Sequence, residues 1–189
     1  MIINHPASTS HIKFRHFLAQ AQGFAKFAVA PIFALFVWGN SALADTGLVR
    51  AADTVLVVSG NTSAESSQGI VFDMAALQNL PSTKITTSNP WIKGAAEFTG
   101  VRISALLESV GAQTNDIEAR AANEYKFKLT GIDFDKYPII IAYLKDGNPM
   151  EFRELGPLWI IFPFDDFPEL LTSKNKAASV WQLTDIEVL

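Results

Sequence analysis

The three histidines, His5, His11 and His16, all fall within the first sixteen residues of the chain, and cysteine is absent throughout. Beyond residue 16 there is neither an imidazole nor a thiol. That excludes serine–histidine and cysteine–histidine hydrolysis there, together with histidine or cysteine zinc sites. Carboxylates, aromatic rings, hydroxyls and the backbone remain. Asp165 and Asp166 follow the bend Phe162-Pro163-Phe164. A carboxylate at a strand end beside aromatics suits a flat nitrogen heterocycle. It accepts two parallel N–H bonds from an amidine-like edge while the rings stack. The competing reading is a solvated turn in which one Asp caps the next element. Adjacent acids point in different directions, so at most one touches a ligand. Trp91 lies in the loop Asn89-Pro90-Trp91-Ile92-Lys93-Gly94, where an aromatic marks binding more readily than it does in a strand. Trp159 sits inside an apolar run and reads more naturally as core, whereas Trp181 fits either role. Phosphate-cradling glycine motifs are absent, and Asp133 and Asp135 alone do not make a calcium loop. Glycosidase-type acid–base pairs are not singled out by any spacing.

Residues 1–26 carry Lys13, Arg15 and Lys26 and no acid. The apolar run Phe27–Trp38 follows, then small residues at Ala42 and Ala44. This is the pattern of a secretory signal, with cleavage expected after Ala44 and a periplasmic product starting at Asp45. The other reading is a retained anchor. However, twelve apolar residues reach only about 18 Å as a helix, against roughly 30 Å of hydrocarbon. No Arg-Arg pair precedes the run, so export is expected in the unfolded state. Removing the leader leaves twelve bases against nineteen acids, a net charge of −7. That balance argues against nucleic acid and anionic lipid surfaces as partners. Membrane insertion is not expected after cleavage.

The elements that must hold these side chains are mostly strands. Thr54–Ser59 is a β-branched run, and Gly60–Gly69 reads as a loop or hairpin. Asp73 is placed to cap a short helix through Met74, Leu77 and Leu80, stopped by Pro81. Lys84–Ser88 alternates as a strand. Val101, Leu106, Leu107 and Val110 have helical spacing, and Gly111 ends that helix. Ile117–Leu129 reads as one or two strands with Asn123 and Tyr125 between them. Ile139–Tyr143 and Leu158–Phe162 read as buried strands, Lys145–Asn148 as a hairpin turn, and Val180–Val188 as the last strand. The predicted class is α+β, a mixed or antiparallel sheet with short helices in a single small domain.

Four stretches in series add a family resemblance. They are Phe98–Gly111, Tyr143–Met150, Gly156–Pro163 and Trp181–Val188. Their order and spacing resemble the molybdopterin-binding domain of the sulfite oxidase family. With the signal peptide at 1–44 and the N-terminal strand and loop at 45–69, the resemblance implies a sulfite-oxidase-like pterin-binding domain at 70–189. The departures are chemical. That family ligates molybdenum through a cysteine in a strand ahead of the first stretch. Here the segment reads Lys84-Ile-Thr-Thr-Ser-Asn-Pro90, and a hydroxyl cannot replace a soft thiolate. The family's arginine after the Gly-Pro-Leu turn is Trp159, and the basic residue before Trp181 is Val180.

The chain is thus similar to a cysteine-free exported branch typified by PruR-type periplasmic proteins, which bind a reduced pterin without metal. The resemblance implies a non-enzymatic pterin-binding sensor or regulator. Its partner would be the periplasmic domain of a membrane sensor, a diguanylate cyclase or phosphodiesterase of cyclic-di-GMP signalling or a histidine kinase. The ligand would be a reduced pterin or a molybdopterin-like one, with no molybdenum. The residues expected around it are Ser88, Trp91, Asn123, Tyr125, Trp159, Asp165, Asp166 and Trp181. The alternatives are a molybdopterin-dependent oxidoreductase or its subunit, and a scaffold module with an empty pocket.

Overall fold

The computed structural model describes residues 53–63 and 69–189. The expected leader, its cleavage site and all three histidines lie outside the described residues. These residues all belong to one compact unit.

Two sheets carry the α+β fold. In the first, β1 (Thr54–Gly60) and β10 (Leu183–Val188) run parallel at the centre, with Val57 opposite Asp185. β2 (Ile70–Asp73) flanks β1, while β5 (Ile117–Ala121) and β6 (Lys126–Leu129) continue beyond β10, all antiparallel to their neighbours. The sheet is therefore mixed. The β-branched β1 fits this interior position, with Leu56, Val57 and Val58 buried. The strand of the 45–69 segment is an interior strand of the same sheet.

The second sheet is antiparallel. β3 (Ser82–Ser88) pairs with β4 (Ala95–Arg102), and β4 with β7 (Ile140–Lys145). The far side of β7 is shared by β8 (Asn148–Pro149) and β9 (Trp159–Ile161). Side-chain alternation along β7 divides the interior. Ile141 and Tyr143 enter the main core between the sheets. Ile140 and Ala142 enter a second cluster with Ile85, Phe98, Trp159 and Ile161. Where β4 meets β7 the register slips, and there a Cβ on Gly100 would stand 2.1 Å from the Ile141 carbonyl oxygen. Glycine is required by that close approach.

β3 and β9 lie at opposite edges of this sheet. The chain that leaves β9 bridges them: Asp165, four residues past β9, accepts from the Ser88 N–H at 2.7 Å.

Three short α-helices occur among the described residues. α1 (Met74–Gln78) is capped by Asp73, whose carboxylate accepts from Ala76 N at 2.6 Å. α2 (Ile103–Ser109) follows β4 directly and buries Ile103, Leu106 and Leu107. α3 (Ser173–Ala178) was not expected, because Ser-Lys-Asn-Lys carries no apolar period. Its sequence signal is the cap Thr172, which accepts from Asn175 N at 3.1 Å. The last strand starts at Leu183, later than the expected Val180. Trp181 makes an isolated bridge to Trp159, and Gln182 takes a left-handed φ of 49°, so the chain bends before the ladder begins.

Candidate functional site

The β3–β4 loop is built on a buried asparagine. Asn89 Oδ1 accepts from Trp91 N at 3.1 Å, and Asn89 O accepts from Ile92 N at 3.1 Å. This local turn holds Trp91 with 41% of its surface exposed. Its ring meets Trp159 edge-on at 6.4 Å between centroids. Trp159 itself is fully buried. Its Nε1 donates to Ser179 O at 3.2 Å, and Phe98 packs edge-on against it at 5.6 Å.

The β5–β6 turn approaches from the first sheet. Asn123 Oδ1 accepts from Tyr125 N at 3.1 Å, and Glu124 adopts a φ of 65°. Tyr125 then reaches across to α3, donating its hydroxyl proton to Ala177 O at 3.2 Å. Ser179 closes that end of α3, its hydroxyl donating to Asn175 O at 3.1 Å.

Between these segments lies a cavity of about 200 Å³. Trp91, Tyr125 and Trp181 supply its aromatic surface, and Ala121, Ala177 and Val180 supply small apolar patches. Asn123 and Ser179 are its polar members, and each is already engaged in the bonds just described. Among the described residues, no lysine, arginine, aspartate or glutamate lines it. An aromatic, uncharged cleft of this kind can hold a flat ring by stacking and desolvation.

The structure thus brings together four of the eight expected residues, Trp91, Asn123, Tyr125 and Trp181. Trp159 lies beneath the cavity and supports Trp91 and Ser179 rather than lining it. Ser88, Asp165 and Asp166 are also absent from the lining. Ser88 donates both its N–H and its hydroxyl to the Asp165 carboxylate, and Asp165 N donates to Thr87 Oγ1 at 3.2 Å. The expected carboxylate facing an aromatic wall is not formed. Phe162 and Phe164, stacked at 5.5 Å, are drawn into the main core, and the turn that follows presents Asp165 to the end of β3. Asp166 is exposed. Sequence reasoning missed the small lining residues Ala121, Ala177, Ser179 and Val180, whose contribution is the space they leave.

Among the described residues, no group of three or more histidine, aspartate or glutamate side chains is placed to hold a metal ion. Among the described residues, the one titration shifted clearly from its ordinary value lies elsewhere. Lys136 is raised, chiefly by donating to Tyr137 Oη at 2.8 Å and by the Tyr137 charge.

No protein-family model matches the chain, and no curated protein does. Among solved structures, the chain is similar to the sulfane dehydrogenase SoxCD from Paracoccus pantotrophus, with a TM-score of 0.53 and 16% sequence identity. The match covers 75% of this chain and 40% of that chain. At this identity the likeness is one of fold. The chain spans less than half the length of the dehydrogenase chain.

Proposed function

We propose that this protein is a periplasmic binding protein for a flat, uncharged pterin and that it works without metal. It would report the bound ligand to a membrane-bound signalling partner such as a cyclic-di-GMP enzyme. The observation that carries the reading is the cavity walled by Trp91, Tyr125 and Trp181 with no charged side chain on its lining. The fold shared with a sulfane dehydrogenase supports a pterin-type ligand only at the level of fold.

The residues present fit a pterin ring but not a molybdenum cofactor. The ring needs an aromatic face and a few polar contacts, and Asn123 and the turn backbone are at hand. A molybdenum centre of the sulfite oxidase type needs a thiolate, and the chain has no cysteine. The cofactor's phosphate needs cations, and none lines the cavity. The volume, about 200 Å³, lies below the roughly 300–1,000 Å³ common for larger ligands. It favours one bicyclic ring over a ring bearing a phosphorylated extension.

Anaerobic calorimetry with tetrahydrobiopterin tests the proposal. Micromolar binding at one site per chain is expected, and no detectable heat at millimolar ligand overturns it. The dehydrogenase-like fold favours one other reading, a subunit of a molybdenum enzyme. Stoichiometric molybdenum in protein purified from its own periplasm would establish that reading and remove the first.

A further inference from the structure

We infer that Asp165 is a positioning residue, which controls the cavity without lining it by tying the end of β3 to the segment after β9 and so holding the loop that carries Trp91. The inference rests on the cavity being the ligand site.

No strand ladder joins β3 to β9. Their ends are connected instead through Asp165. Its carboxylate accepts from Ser88 N at 2.7 Å and from the Ser88 hydroxyl, and its own N–H donates to Thr87 Oγ1 at 3.2 Å. Thr87 is fully buried, so this acceptor is fixed in place.

Next comes the leverage. Ser88 is the last residue of β3, and Trp91 lies three residues on. The loop is therefore tied twice to the β9 segment, by Ser88 to Asp165 and by the Trp91 ring to Trp159. The second tie is a single edge contact of a ring that is 41% exposed. Such a contact leaves the ring free to swing if its loop moves. The start of the loop is thus held on one side by the β3–β4 ladder, where Ser88 pairs with Ala95, and on the other by the carboxylate latch, which together set one wall of the cavity. Asp165 accordingly acts on a ligand through Trp91, with no contact of its own.

A double-mutant cycle separates this role from direct contact. Tetrahydrobiopterin affinity is measured anaerobically for wild type, Asp165→Ala, Ser88→Ala and the double variant. Amide hydrogen exchange over residues 88–94 is followed in the ligand-free proteins. Asp165→Ala is expected to weaken binding about tenfold and Ser88→Ala about threefold, since the latter removes one bond of the latch. The double variant should be no weaker than Asp165→Ala alone. Exchange over residues 88–94 should quicken at least tenfold in Asp165→Ala, with β5 and β10 unchanged, which a general loss of stability would not give. Ser88→Thr, which keeps the hydroxyl, should restore wild-type exchange and affinity.

If Asp165→Ala weakens binding while exchange in the loop stays at the wild-type rate, Asp165 touches the ligand and the inference is wrong. Unchanged affinity in all variants of a protein that does bind overturns it as well. If wild type binds no tetrahydrobiopterin, the cavity reading falls and the latch loses its role toward a ligand. The exchange result then decides separately whether the latch holds the loop.

Discussion

Trp91 and Trp159 touch each other, yet replacing them should have opposite consequences. Trp91 is 41% exposed and lines the cavity. Laying a bicyclic ring against its indole removes on the order of 50 Å² of apolar surface from water, about 1 kcal/mol at 25 cal/mol per Å². The aromatic pairing adds about 0.5–1.5 kcal/mol. Trp91→Ala should therefore weaken tetrahydrobiopterin binding by roughly ten- to seventyfold. The melting temperature should scarcely change, because the side chain is half in water. Trp159 is fully buried, packs on Phe98 and donates to Ser179 O. Trp159→Ala leaves a cavity and an unpaired carbonyl, with a cost of about 3–5 kcal/mol in stability. Denaturant melts read the stability and calorimetry reads the affinity. Affinity within twofold of wild type for Trp91→Ala, at unchanged stability, would remove Trp91 from the wall. A Trp159→Ala protein as stable as wild type would refute the packing argument.

Three further outcomes are expected. Amino-terminal sequencing of exported protein should return Asp45, and recovery of Met1 would contradict the leader reading. The protein should not turn over sulfite or sulfoxides, and Ser88→Cys should not create such activity, because among the described residues no cation lines the cavity to hold an oxyanion; turnover by the metal-free wild type would overturn this. Tyr137→Phe should return the Lys136 titration toward 10.5 in amine-detected NMR, since the Tyr137 hydroxyl is the main cause of its rise. Any stability from that pair is present below the unfolded lysine value and is lost as pH rises through the folded one. An unshifted titration in the variant would remove that cause.

Much of the fold was legible because its signals are local. The β-branched run of β1, the Asp73 cap, Gly111 after α2 and the turn Lys145–Asn148 each act within a few residues. α3 was not legible because its residues are chosen for caps and cross-chain bonds. Lys174, for example, donates from Nζ to Thr130 O at 3.1 Å. The tie between β3 and the segment after β9 was hidden for a related reason. It depends on residues 77 positions apart, Ser88 and Asp165, and neither has a pattern that names the other.

The candidate site divides along the same line. Trp91 stood out because a tryptophan in a turn is hard to explain by burial, and Asn123 and Tyr125 because they lie between two strands. Asp165 was singled out for the right physical property, a carboxylate at a strand end able to accept two donors. The donors it found belong to Ser88. From residue types alone, a carboxylate that binds a ligand's donor edge and one that binds a strand end are the same object. Only the burial of Phe162 and Phe164, which aims the following turn, separates them. The cavity consequently has aromatic walls and no acid at its edge. On the proposed reading, selectivity among flat heterocycles would come from Asn123, the turn backbone and the fit between Trp91 and Trp181. The consequence for binding is that neutral ligands should be favoured over charged ones, since any charge entering this cleft gives up its water for no ionic partner.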